Sequence, residues 1–340
     1  MTSRCIALTA ALLLTESDPA TGLGGQDRDL PAFLGPLRPV KAPEDNPTTT
    51  AKVELGRMLF WDPRLSGNGA ISCASCHNPA LGWADGLPKS AGFNHQVLGR
   101  SAPTVLNAAY YQSQFWDGRA PTLEEQAKGP IQSPKEMNAN PEKVVAIVNG
   151  IAGYRKRFQE VFGSPATFDT IAKAIAAFER TVVDLDSPFD RYARGDDAAI
   201  GEAARRGLEV FTGKARCATC HSGPNLSDSR FHNIGLSDGD PGRMKVSGKE
   251  EDLGAFRTPT LRNIALTAPY MHDGSMRTLR ETIDHYERVP GDKPRPKALS
   301  VFMQPIKLTD AEKADVEAFL RTLTGDKRPA GIDVVPELPQ

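Results

Sequence analysis

The chain has 340 residues, a length that accommodates two modest domains with separate hydrophobic cores. Its formal net charge is −1 and aromatic residues make up only 7% of it. It therefore offers no basic field for a nucleic-acid backbone, and no nucleic acid is expected as a partner. No segment reaches the length of an apolar membrane span, which argues against an integral membrane protein.

Residues 1–20 are predicted to be a signal peptide. One cation, Arg4, precedes a short apolar run that ends at Leu14, which is the order of a secretory signal and is too short to span a bilayer. The alternative is that these residues form a frayed N-terminal tail and that the start of the chain is misassigned. Cleavage of a signal would remove Cys5 and leave the mature protein in the periplasm.

The next elements follow from composition and spacing. Residues 21–50 are rich in Pro, Asp and Gly and are predicted to form an extended arm. Apolar residues at helical spacing from Val53 to Leu59 predict a helix that Trp61-Asp-Pro63 stops.

Three further helices are predicted downstream. An amphipathic helix covers 171–182, with 168–170 as its cap, and a second helix covers 204–211. A final helix opens at 308–310 and is ended by Thr324-Gly325. Few segments alternate apolar and polar residues, so strands are expected to be minor and the fold class mainly α.

Four of the five cysteines form two equivalent patterns, Cys73-Ala-Ser-Cys76-His77 and Cys217-Ala-Thr-Cys220-His221. C-x-x-C-H is the attachment pattern of c-type haem, in which the thiols reach two vinyl groups and the His becomes the proximal iron ligand. A thioredoxin pair would follow a strand, and a zinc site would need four converging ligands and two coincidental histidines. Two covalently bound haem c groups are therefore predicted.

The two motifs belong to a loose internal repeat. Gly56 and Phe60 precede the first motif, and Gly207 and Phe211 precede the second, each pair on an apolar helix. Two copies of one long unit predict duplicated cytochrome c domains rather than a solenoid. The expected architecture is two tandem cytochrome c-type domains, each with one covalently bound haem, at residues 51–190 and 200–325, followed by a tail at 326–340.

The second axial ligands decide whether such a protein carries electrons or catalyses. A carrier has both irons capped, often by Met, whereas a peroxidase needs one iron that can open. The candidate ligands are His95, His232, His272, His285, the mid-chain methionines and Tyr286. For a lone Met, core packing is the default role.

Six blocks of the sequence resemble the signature blocks of the bacterial di-haem cytochrome c peroxidase and MauG family. They are Phe115–Ala120, Leu123–Ile131, Pro134–Met137, Leu261–Asn263, Ala268–Gly274 and Leu320–Gly325. The resemblance runs from about Val53 to Gly325. It implies a peroxidatic haem in the first domain and an electron-transfer haem in the second.

The resemblance also implies roles for single residues. His77 and His221 match the proximal ligands. Trp116 matches the indole between the haems, Gln126 the distal amide and Glu136 the acid–base carboxylate above the first iron. Splitting the O–O bond requires a proton to move between the two oxygens, which a carboxylate in a dry pocket can do. Without the resemblance, Glu136 is a solvated loop charge and Trp116 fills the core.

Two positions depart from the classical peroxidase pattern. The loop His that caps the first iron falls on Phe93 by ungapped counting, and His95, two residues later, is either the candidate distal ligand or a surface residue. The Met that ligates the second iron falls on Tyr286, as in the MauG/MbnH-like branch, and phenolate favours ferric over ferrous iron. Helix packing is the alternative role for Tyr286, and Met276 or His285 compete for the iron.

The resemblance further implies a calcium ion between the domains. Ser101 occupies the position of the usual Asn ligand, while Thr258 and Thr260 match the carbonyl donors. A hard cation accepts a hydroxyl or a water in place of the amide. A calcium ion is therefore expected here with Ser101 in place of the usual Asn.

The resulting hypothesis is a periplasmic, MauG-like oxidoreductase. It uses hydrogen peroxide to form high-valent haem that oxidises an external donor, a partner protein. The alternative is a di-haem cytochrome c peroxidase that reduces peroxide with electrons from a small cytochrome c or cupredoxin. A non-catalytic di-haem electron carrier is the remote alternative. The surface Trp through which MauG oxidises its substrate is Ala215 here, so that route does not carry over.

Overall fold

The computed structural model describes residues 30, 34–236, 239–288, 298–325 and 331–340. Three predicted segments lie wholly or partly outside the described residues. They are the signal peptide at 1–20, residues 21–29 and 31–33 of the arm, and residues 326–330 of the tail. Within the described ranges the protein is mainly helical with little sheet, which confirms the predicted fold class.

Seven α-helices lie in the described residues of the first half. They are α1 (Thr50–Trp61), α2 (Cys73–Cys76), α3 (Leu123–Gln132), α4 (Pro141–Gly150), α5 (Ala152–Phe162), α6 (Phe168–Glu179) and α7 (Pro188–Ala193). The second half contains α8 (Glu202–Thr212), α9 (Met244–Ser247), α10 (Leu279–Glu287), α11 (Asp310–Arg321) and an antiparallel pair of two-residue strands, β1 (Phe231–His232) and β2 (Phe256–Arg257). Short 3₁₀ turns lie at Pro63–Leu65, Pro79–Leu81, Phe93–His95, Ala108–Tyr110, Asp197–Ala199, Cys217–Thr219, Glu250–Asp252 and Ile264–Leu266.

The helices α1 and α6 cross at a glycine. A Cβ at Gly56 would lie 1.9 Å from the carbonyl oxygen of Ala174, so only glycine permits this approach of the two backbones. The crossing brings Phe60 edge-on to Phe178, with ring centroids 5.3 Å apart. The α6 face is buried as predicted, but its cap is Thr167, whose hydroxyl accepts a hydrogen bond from the backbone N–H of Thr170.

The second half repeats this crossing with α8 and α11. A Cβ at Gly207 would lie 1.9 Å from the carbonyl oxygen of Asp315. Phe211 packs on Phe319 with ring centroids 5.1 Å apart. The internal repeat seen in the sequence therefore corresponds to two copies of one helix pair, and the first helix of each pair, α1 or α8, lies just before a Cys-x-x-Cys-His loop.

Each terminal segment packs on the half to which it is not adjacent in sequence. Leu34, from the segment predicted to be the arm, is buried in the second core, and Ile332, from the tail, is buried in the first. Arg57 donates hydrogen bonds to the carbonyl oxygens of Gly331 and Val334, at 3.0 and 3.1 Å. The two halves are thus tied together by both ends of the described chain.

A buried ion pair supports the second half. Arg262 donates from Nη1 to Asp190 at 2.8 Å and from Nε to the carbonyl oxygen of Pro224 at 2.7 Å, which joins α7 to the loop after the second motif. The Ser187 hydroxyl also donates to Asp190, at 2.6 Å. Burial alone would raise the pKa of Asp190, but Arg262 and Ser187 hold that pKa below its ordinary value.

We expect Asp190→Asn to lower the free energy of unfolding by about 3–5 kcal/mol, because it leaves the Arg262 charge buried without its counter-ion. Asp315→Asn breaks the exposed pair with Arg206 and should have little effect. Urea unfolding of the holoprotein measures both. Because the pKa of Asp190 is lower in the folded protein than in the unfolded chain, Asp190 stabilises the fold at neutral pH. This stabilisation is lost as the pH falls through the range in which carboxylates are protonated. Equal losses in the two variants would contradict this assignment.

Candidate functional site

The first Cys-x-x-Cys-His motif forms a short helix whose last residue leads directly into the histidine. α2 begins after Ser72, which exchanges capping hydrogen bonds with Ser75. Nδ1 of His77 lies 3.2 Å from the carbonyl oxygen of Trp83, a residue held in the left-handed region with φ of 62°. This contact places the proton on Nδ1 and leaves the Nε2 lone pair free. Burial lowers the pKa of His77, so the ring is neutral, as an iron ligand must be.

The second motif repeats the arrangement with different residues. Nδ1 of His221 lies 3.2 Å from the carbonyl oxygen of Leu226, which also has a positive φ, of 50°. Burial lowers the pKa of His221 to about 4. Both histidines therefore present a neutral imidazole in a fixed tautomer, with Nε2 available to a metal.

The four motif cysteines, Cys73, Cys76, Cys217 and Cys220, are free and partly buried. Burial raises the pKa of Cys76 to about 11 and that of Cys217 to about 12, so these thiols are protonated. Paired neutral thiols beside a free imidazole nitrogen fit a haem attached covalently in each half.

The first motif opens into a cavity of about 1010 Å³, at the top of the usual range of ligand pockets. Gln126 reaches it from α3, whose Pro130 has no N–H to donate to the carbonyl of Gln126. Glu136 follows on the turn after α3 and lines the same cavity. Burial raises the pKa of Glu136, while the Arg119 charge opposes the rise. The cavity thus brings Gln126 and Glu136 to one chamber with His77.

The second cavity contains Tyr286 together with His221 and both cysteines of the second motif. Tyr286 lies near the end of α10, and burial raises its pKa. The neighbouring His285 does not line this cavity and has Nε2 2.9 Å from the carbonyl oxygen of Ile234. Met276 is buried in the core beside the cavity and does not line it, whereas Met303 does. Of the three ligand candidates from this segment, Tyr286 alone lines the cavity.

The two cavities share a wall. Residues Ser101–Thr104, Tyr111, Trp116 and Arg257 line both of them. The indole Nε1 of Trp116 donates to the carbonyl oxygen of Ser101 at 3.0 Å, and the carbonyl oxygen of Trp116 accepts from the backbone N–H of Arg257 at 2.8 Å. Trp116 is thereby fixed between the chambers by one contact from each half of the chain.

Each half contributes to this wall one copy of a short repeated segment, which was not predicted from the sequence. The segment Ser101-Ala-Pro-Thr-Val-Leu-Asn107 corresponds to Arg257-Thr-Pro-Thr-Leu-Arg-Asn263. In each copy the Thr hydroxyl donates at 2.6 Å to a carbonyl of the motif loop, Thr104 to Gly82 and Thr260 to Asn225. The shared Pro-Thr pair and final Asn are the sequence signal that reveals it.

Of the four remaining predicted site residues, three line a cavity and one does not. Ser101, Thr258 and Thr260 all line the second cavity, and of the three only Ser101 also belongs to the shared wall. His95 is exposed, has a positive φ of 61°, and does not line the first cavity. A His95 ligand to the first haem would therefore require its loop to move.

Two charged features of the first cavity were not predicted. Glu179, the last residue of α6, is 5% exposed, and one of its oxygens has no partner among the described residues; burial raises its pKa to about 8. Arg100 joins the halves by donating to Asp117 at 2.7 Å and to Asp240 at 2.7 and 2.8 Å. Hydrogen bonds from Arg100 lower the pKa of Asp240 to about 2. The sequence alone could have shown that Glu179 lies on the buried face of its helix. It could not have shown that Arg100 pairs with Asp117 and Asp240.

One cluster at the second cavity also went unrecognised. Ligand atoms of Cys220, Asp228 and His232 lie within 4.8 Å of one another. His232 has Nε2 2.8 Å from Asp228 and Nδ1 3.2 Å from the hydroxyl of Ser300. Because Cys220 belongs to the haem motif, this His–Asp pair lies at the edge of the second haem position.

No helix within the described ranges is both long enough and apolar enough to cross a bilayer.

Comparison with known proteins identifies the two halves. Residues 50–198 match the family model for di-haem cytochrome c peroxidase, and residues 204–324 match that for cytochrome c. The chain is 46% identical to the methylamine utilization protein MauG of Methylorubrum extorquens, over 88% of this chain and 85% of that protein. It is 37% identical to a cytochrome-c peroxidase of Pseudomonas sp. strain SCT, over 93% and 92% of the two chains.

Among solved structures, the chain is similar to a MauG-like protein associated with microbial copper homeostasis. The TM-score is 0.81 and the identity 37%, covering 92% of this chain and 99% of the other. This chain therefore belongs to the bacterial di-haem cytochrome c peroxidase and MauG family, as a peroxidase-type haem oxidoreductase with two covalently bound haem c groups.

Proposed function

We propose that this protein is a MauG-like enzyme of the periplasm that takes oxidising equivalents from hydrogen peroxide and delivers them to an external protein donor. The observation that carries the proposal is the presence of Tyr286 with His221 in the second cavity. The periplasmic location rests on covalent haem attachment, which takes place outside the cytoplasm. The overall reaction consumes one peroxide, two protons and two electrons from the donor and yields two waters.

The two haems supply the redox chemistry when bound, and the protein supplies proton control. Glu136, whose pKa burial raises, lines the first cavity, and its carboxylate accepts a proton from one peroxide oxygen and returns it to the other. Gln126, on the facing α3, orients the peroxide through its amide.

Trp116 connects the peroxide chamber to the second cavity. Its ring lies in the shared wall and is held by Ser101, so it cannot rotate out of the path without losing that hydrogen bond. An aromatic ring between two redox centres divides one long electron transfer into two shorter ones. Tyr286 then favours the ferric state at the second position, because a phenolate is a hard anionic ligand.

The second candidate is a cytochrome c peroxidase that draws electrons from a small redox protein. It is favoured by the 37% identity to a cytochrome-c peroxidase and by Met303, which lines the second cavity beside Tyr286. In that function Met303 would be the second axial ligand and His95 would swing in to cap the first iron. The two functions therefore differ in which residues reach the irons.

We expect Glu136→Gln to retain both haems and the fold but to slow peroxide-driven oxidation by about two to four decades, since it removes the proton carrier. Stopped-flow absorbance after peroxide addition measures the rate. Glu142→Gln, at an exposed position in the first turn of α4, is the matched control and should react at the wild-type rate. A wild-type rate for Glu136→Gln would place the proton transfer elsewhere.

The Tyr286 ligand is tested by spectroscopy of the resting ferric protein. Wild type should give one high-spin and one low-spin EPR signal and should react with peroxide without prior reduction. Tyr286→Phe should change the low-spin signal and raise the potential of the second haem, because the hard anionic ligand is gone. Tyr270 lines the same cavity, but its hydroxyl donates to the Ile264 carbonyl. The control substitution Tyr270→Phe should therefore leave both EPR signals unchanged.

The opposite pattern would favour the cytochrome c peroxidase. In that case the resting enzyme would ignore peroxide until half-reduced, and Tyr286→Phe would leave both EPR signals unchanged. Loss of a ligand signal in Met303→Leu or His95→Ala would then identify the residues that reach the irons.

A further inference from the structure

The junction between the two cavities is held by Ser101, whose three polar groups all have protein partners. Its N–H donates to the carbonyl oxygen of His272 at 2.8 Å, and its hydroxyl donates to that of Met271 at 3.0 Å. Its own carbonyl oxygen accepts the indole N–H of Trp116. Ser101 is 7% exposed, so these contacts are shielded from water. One residue therefore ties the indole of the first half to the backbone of the second.

Thr258 matches a family calcium donor through its carbonyl oxygen, and that oxygen is already engaged. It accepts the hydroxyl of Ser227 at 2.6 Å, and Nη1 of Arg257 lies 3.5 Å away. A calcium ion at this oxygen would have to share it with the Ser227 hydroxyl and would lie close to the positive charge of Arg257. The hydroxyl of Thr260 donates to Asn225 and its N–H donates to the hydroxyl of Tyr111, which leaves its carbonyl oxygen as the one group that could face a cation.

Charge at the junction also disfavours a divalent cation. The guanidinium of Arg257, a residue 3% exposed, lies 3.3 Å from the ring centroid of Tyr111 and donates from Nε to the carbonyl oxygen of Phe115 at 3.2 Å. Arginine keeps its charge in proteins. Calcium sites usually contain carboxylates, whereas none of the described residues that line both cavities is an Asp or a Glu.

Ser101 and Arg257 occupy equivalent first positions in the two Pro-Thr segments described above. Each contacts the other half of the chain: Ser101 reaches Met271 and His272, and Arg257 reaches Phe115 and Trp116. We propose that Ser101 and Arg257 act as positioning residues that lock Trp116 between the haems and replace the calcium ion that the family resemblance implies. The residues present do not fit calcium, and this holds for either oxidant-using function.

The primary test uses the wild-type holoprotein with both haems attached. After dialysis against EGTA and then against calcium chloride, metal analysis should find substoichiometric calcium in both samples. The melting temperature and the ferric EPR signals should be the same before and after chelation, because a ligand that binds only the folded state would raise the melting temperature. One equivalent of calcium per chain, whose removal shifts either readout, would overturn the proposal.

Variants test whether Ser101 and Arg257 do the positioning. Arg257→Gln and Ser101→Ala should lower the melting temperature and alter the ferric EPR signals, and added calcium should restore neither. Arg243→Gln is the matched control, because Arg243 donates to the carbonyls of Asp117 and Gly118 and stacks on Phe231 but does not line either cavity. It should lower the melting temperature without altering the EPR signals. Wild-type EPR signals in Arg257→Gln and Ser101→Ala would overturn the assignment, and the chelation test stands even if a variant does not fold.

Discussion

The close crossing of two helices at a glycine is the constraint on which each half depends. At Gly56 and at Gly207 the facing helix carbonyl would lie 1.9 Å from any Cβ, so even alanine would force the helices apart. The crossing packs Phe60 on Phe178 and Phe211 on Phe319. These aromatic pairs lie beneath the motif loops, and separation of the helices would disturb the carbonyls that fix His77 and His221.

The two sites share their proximal side and differ on the opposite side. Below the iron position each has a neutral His whose Nδ1 contacts a carbonyl of its own loop. Elsewhere in the lining, the first cavity has the carboxyl of Glu136 and the amide of Gln126, and the second has the phenol of Tyr286. The repeat therefore supplies two equivalent attachment sites, and in the proposed function the other cavity residues provide proton transfer at the first site and a phenolate ligand at the second.

The sequence was sufficient for features that depend on local order. It predicted the mainly helical class, the attachment motifs, the Gly-Phe repeat and the helices that became α1, α6 and α11, because each is encoded within a few turns. It misplaced the cap of α6, since Thr167 and its capping partner Thr170 lie at the edge of the apolar pattern. It also missed Arg100 and Arg257, because their pairing across the halves depends on residues more than a hundred positions apart.

The crossed packing of the termini explains how a wall made from both halves can stay precise. Trp116 is held by Ser101 from its own half and by the Arg257 N–H from the other, so rotation of the halves would break one contact or the other. Leu34 and Ile332 each anchor a terminal segment on the opposite core, which resists such a rotation at a distance from the site. Removing this restraint should therefore impair communication between the cavities before it impairs either cavity alone, since each cavity is built largely within its own half.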